Sequence, residues 1–141
     1  MIKYHRLPTN IKDLIPKAVA YLQSRPDIRF AYLFGSVAKD KILPLSDVDI
    51  AVYLEGHKTD FHRKKIEILG ALIDILETDE IDLVILNTAP VHLRMRILGH
   101  KKIVTDREPS QRHHYESLTL REYFDFSIKE KEILNRRFLN G

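Results

Sequence analysis

The chain has 141 residues, 44% of them hydrophobic and 30% charged, a net charge of +3 and no cysteine. That length suits one domain with a real core, and the missing cysteine excludes disulfides and thiolate metal sites. No run of about 18 apolar residues is present, so a membrane-spanning helix is not expected. Met1 to Arg6 lack the basic-then-apolar plan of a signal peptide, and a cytoplasmic location is expected.

The charge is unevenly spread. Residues 1–90 carry 12 Lys/Arg against 13 Asp/Glu, whereas residues 91–141 carry 11 against 7. The C-terminal surplus reads either as a solvated helical face or as a docking surface for something acidic.

In chain order, Ile11, Leu14, Ile15, Ala18, Val19 and Leu22 recur at helical spacing. They predict a helix from about Asn10 to Ser24, with Pro16 either delaying its start or bending it. Pro26-Asp27 punctuates the chain. Ile28 to Phe34 is β-branched and aromatic, a strand of the buried kind. Gly35 ends it, and a turn or two of helix follows from Val37. Asp47 to Leu54 alternates strictly. Asp47, Asp49, Ala51 and Tyr53 share one face; Val48, Ile50, Val52 and Leu54 share the other, which must be buried. Phe61 to Glu77 is a second long helix with Ile66, Leu69, Leu72, Ile73 and Leu76 as its stripe. Ile81 to Leu86 is a third strand, with Asp82, Val84 and Leu86 on one face. A helix from Pro90 to Leu98 stops at Gly99. Lys102 to Thr105 reads as a short edge strand. From Pro109 to about Phe138 the pattern is helical, with Leu118, Phe124, Ile128 and Leu134 as apolar positions and Tyr115 and Tyr123 alongside. The expected fold is α/β (α+β), a small mixed sheet flanked by helices. Residues 1–141 read as a single domain with a C-terminal helical segment from about residue 107.

The chemistry concentrates at Gly35-Ser36 and, after a ten-residue gap, at Asp47-Val48-Asp49. Each piece alone is weak: Gly-Ser pairs mark turns, a lone Asp-x-Asp is usually a solvated turn or a cap, and a lone strand acid such as Asp82 is usually ion-paired. Together they point to a site. Two carboxylates on one strand face repel by about 3 kcal/mol at an effective dielectric near 20. A hard divalent cation removes that penalty. Mg²⁺ is typically held by one or two carboxylates and substrate phosphates. Glycine admits a close phosphate, and Ser36 with the following N–H groups can bind it. A third acid, Asp82, is placed to bind a metal near an acceptor hydroxyl or to take its proton.

These residues, in "YLFGS…LSDVDIAV…IDLVILN.AP", resemble the nucleotidyltransferase superfamily with a DNA polymerase β-type palm. The compact form is similar to the minimal nucleotidyltransferases of the MntA type, over about Ile28 to Phe126. The resemblance implies a Mg²⁺-dependent enzyme using ATP, the antitoxin of a HEPN-domain ribonuclease toxin of the HepT type, which adenylylates a toxin tyrosine. It makes Asp47, Asp49 and Asp82 the metal-binding carboxylates, and Gly35 and Ser36 the triphosphate binders. Relatives often carry Arg-Gly a few residues after Gly-Ser, where this chain has Lys39-Asp40. Lys39 meets a phosphate as a point charge rather than bidentately. Only about 50 residues follow the third strand, which favours a separate protein as acceptor.

Other readings remain open. One is a binding-only antitoxin that blocks its toxin sterically; the three intact acids argue against a relic site. Another is transfer to RNA or a small molecule. Direct nucleic-acid binding is not expected, nor is a metal site built from the seven histidines. Arg94, Arg96, Lys101 and Lys102 read as surface charges or as nucleotide or partner contacts. Tyr53 either stacks near the site or fills the sheet.

Overall fold

The computed structural model describes residues 7–38 and 47–138. The order is α1 (Ile11–Ser24), β1 (Ile28–Phe34), α2 (Gly35–Ala38), β2 (Val48–Leu54), α3 (Phe61–Leu76), β3 (Ile81–Ile85), α4 (Val91–Gly99), β4 (Lys102–Asp106) and α5 (Pro109–Phe138). The described strands form one mixed sheet in the order β3-β2-β1-β4. β1 runs antiparallel to β2 and β4, and β2 runs parallel to β3. The parallel pair needs a crossover, which α3 supplies.

Strand alternation sorts the core into two layers. Val48, Ile50, Val52 and Leu54 face α1 and α3, packed with Leu22, Ile68, Leu72 and Leu76. The other sheet face carries Phe30, Tyr32, Phe34 and Ala51, with Leu86, Ile97 and Tyr115 over them. Tyr53 fills this second layer. Its ring stacks on Phe30 at 4.7 Å and meets Tyr115 edge-on at 5.4 Å.

Pro16 lies inside α1, which starts at Ile11, so of the two readings the proline does not delay the helix. Three expectations change. On α3, Ile68 is buried and Ile66 is 58% exposed, so the buried stripe is rotated from the one the spacing suggested. The third strand ends at Ile85, because residues 86–88 close into a 3-10 turn. The largest correction concerns α5. Leu118, Phe124, Ile128 and Leu134 are all exposed; Tyr115 and Thr119 are the residues that anchor the helix.

Candidate active site

The site is assembled by strand register. Phe34 pairs with Asp49 across β1 and β2, so Gly35 leaves the sheet beside that carboxylate. Asp49 pairs in turn with Asp82 across β2 and β3. Neighbouring strands lie about 4.8 Å apart, and in-register residues of a parallel pair share a face. Asp49 and Asp82 therefore stand side by side. Asp47 sits just ahead of β2, whose first residue, Val48, donates its N–H to the Glu80 carbonyl at 3.0 Å. That bond holds the start of β2 against the start of β3.

Gly35 carries the sharpest constraint. Its φ is +68°, a left-handed conformation that favours glycine. A Cβ there would lie 2.1 Å from Oδ2 of Asp49. The Asp49 carboxylate thus occupies the space any side chain at position 35 would need. Val37 buries itself in the core and pins the turn that presents Ser36. Lys39 lies outside the described residues.

Asp82 is exposed. The burial cost expected for an acid in so apolar a strand is not paid, because β3 is an edge strand and Asp82 stands at its open end. It lines a groove of about 370 Å³ with Phe61, His62, Lys65, Thr88 and Leu93. Among the described residues no three carboxylate or imidazole side chains close on one point as a metal cage would. The donor set still suits Mg²⁺, which takes one or two protein carboxylates and completes its shell with phosphate oxygens and water.

Arg94 does not serve the site as a free cation. Its Nε donates to the Ala89 carbonyl at 3.0 Å, Nη1 to Thr119 at 3.1 Å and Nη2 to Glu122 at 2.5 Å. Lys101 is similarly engaged. With Arg112 and the Tyr32 hydroxyl it converges on Glu116, at 2.6, 2.9 and 3.1 Å. Burial raises the Glu116 carboxyl, but the bonds from Lys101 and Arg112 outweigh it and hold the group below the usual carboxylate range. Burial, followed by the nearby Glu116 charge, pushes the Tyr32 phenol up. Sequence reasoning did not single out Glu116, since nothing local marks a helical glutamate as the hub of a network spanning β1, β4 and α5.

The profile of the family described as polymerase beta, nucleotidyltransferase, matches residues 16–110. No curated protein matches the chain significantly. Solved structures do. A chain of a toxin–antitoxin complex with AMP-PNP is 22% identical with a TM-score of 0.68, covering 88% of this chain and 95% of that one. A chain of the complex of a tri-AMPylated Shewanella oneidensis HEPN toxin with its MNT antitoxin is 22% identical, with a TM-score of 0.63 and coverages of 89% and 93%. A chain of the MntA–HepT toxin–antitoxin complex is 21% identical, with a TM-score of 0.62 and coverages of 91% and 97%. At these identities the likeness establishes the fold.

Proposed function

Because the chain belongs to the polymerase β-type nucleotidyltransferase family, we propose that it transfers AMP from ATP to a tyrosine of a HEPN-domain toxin and so acts as that toxin's antitoxin in the cytoplasm. The observation that carries this reading is the register of Asp49 with Asp82 beside a glycine whose Cβ space the Asp49 carboxylate fills. That arrangement sets the glycine turn directly against the Asp49 carboxylate and places two acids on one face at the sheet end. The toxin as acceptor is supported by the relatives of the same fold, one in complex with an AMPylated HEPN toxin. It is also supported by the exposed aromatic surface of α5.

The residues divide the work as follows. Ser36 and the backbone N–H groups around it bind the outer phosphates, with Lys39 adding charge. Asp47 and Asp49, with Asp82 as third carboxylate, would hold Mg²⁺. When bound, the ion supplies charge neutralisation at the attacking and leaving oxygens. Asp82 orients the acceptor phenol and accepts its proton. The phenol oxygen bonds to the α-phosphorus, the bond to the β-phosphate oxygen breaks, and pyrophosphate leaves.

The test is labelled ATP, Mg²⁺ and purified toxin. Asp47→Asn with Asp49→Asn should abolish labelling while the circular dichroism spectrum stays native. Full labelling by that double variant would sink the assignment. Toxin silenced by the double variant without labelling would favour the binding-only reading.

A further inference from the structure

We propose that the groove along the outer edge of β3 is the acceptor subsite, and that it takes an extended, tyrosine-bearing segment of the partner as an added strand. The inference rests on the adenylyl-transfer reading and names where the protein substrate lies.

The backbone carries the first part of the argument. β3 is an edge strand, and among the described residues no strand pairs with its outer side. Val48 donates its N–H to the Glu80 carbonyl. In a parallel ladder alternate residues turn their peptide groups toward the partner strand, so Asp82 and Val84 face β2. The N–H and C=O of Leu83 then face outward. Such an edge is a template for an incoming strand, and main-chain pairing of this kind is a common mode of peptide capture.

The side chains supply the second part. The groove spans about 370 Å³ and is lined by residues 82–85 of β3, with α3 on one wall and residues 88, 89 and 93 on the other. The lining is mixed: Phe61, Val84 and Leu93 give it an apolar part that suits an aromatic ring. His62 and Lys65 stand on the α3 wall, able to meet carbonyl or carboxylate oxygens of the segment. Asp82 lines the same groove, so a strand laid there passes the third carboxylate of the site. An added strand also presents alternate side chains to the Asp82 face of the sheet, which is where the phenol must arrive.

The test compares the native chain with Thr88→Trp, which fills the groove from an exposed position, and Lys65→Glu, which reverses a wall charge without adding bulk. Both are read against the full-length toxin. Thr88→Trp should raise KM for toxin by about tenfold or more while leaving ATP affinity by calorimetry unchanged, the pattern of lost substrate binding. Lys65→Glu should raise the same KM by a smaller factor, and it keeps the question open to measurement should the tryptophan variant fail to fold. With toxin and AMP-PNP bound, the Leu83 amide should exchange more slowly in the native protein. Unchanged KM in both variants, or unchanged Leu83 exchange, overturns the subsite. So does a concentration-dependent homodimer that protects the same amide in the absence of toxin. Failure of the native chain to transfer AMP at all would instead refute the adenylyl-transfer reading, and the two failures are distinct.

Discussion

The two halves of α5 stand in opposite circumstances, and the one richer in large apolar side chains is the exposed one. In the first half, Tyr115 is packed against Phe30 at 5.6 Å and Tyr53 at 5.4 Å, and its hydroxyl donates to the Leu86 carbonyl at 2.7 Å. Thr119 is fully buried, and Glu116 gathers Lys101, Arg112 and Tyr32. At the midpoint, Phe126 and Tyr123 meet the His92 ring with centroids 4.7 and 5.7 Å away. Residues 128–138 are all exposed. Phe124 is 65% and Phe138 is 75% exposed, with Ile133 and Leu134 similarly open. A helix of 30 residues is about 45 Å long at 1.5 Å per residue, longer than the sheet face beneath it. The same amphipathic pattern therefore serves as core where the sheet supports it and as free surface where it does not. Clustered exposed aromatics flanked by arginines are the composition of an interaction surface. Under the proposed function, the distal half is the surface this chain would offer its toxin.

The comparison breaks most readily at matched aromatics. Tyr115→Ala should cost about 3–5 kcal/mol in urea denaturation, as large core truncations do. Phe124→Ala should stay within about 0.5 kcal/mol, as for a surface change, yet weaken toxin capture. Equal stability losses would mean that the distal half is structural after all.

A smaller effect comes from pH. The Glu116 carboxyl is lowered in the folded protein. Its contribution to stability is complete above the unfolded carboxylate range, near 4.5, and is lost as pH falls through the depressed folded value. Thermal melts from neutral pH downward should therefore show a decline below about pH 4.5 that Glu116→Gln lacks. An identical slope in the variant would remove Glu116 as the anchor of the proximal half.

The smallest change in stability is expected from charge reversal at Arg121, Arg136 and Arg137, all exposed. Melting temperature should hardly move. Toxin binding should weaken, most at low salt, where unscreened charge matters. Undiminished pull-down across a range of salt would leave apolar contacts alone to hold the docking surface.

What the chain alone determined was whatever depends on near neighbours. The alternation from Asp47 to Leu54 assigns its faces because a strand has period two, and the structure buries Val48, Ile50, Val52 and Leu54 accordingly. Gly35 after a buried strand marked the turn, and the motif spacing led to the family. Tertiary structure decided the rest. Asp82 reaches Asp49 because β2 lies between β1 and β3, a pairing of residues 33 positions apart that no local pattern encodes. The spacing pointed to Ile66 as a core residue and passed over Ile68; the packing of α3 against α1 and the sheet decides for Ile68. Leu134 and Phe138 look apolar enough for a core, but burial needs something to bury them against. Here the sheet ends first, and none of the described residues covers the end of that helix.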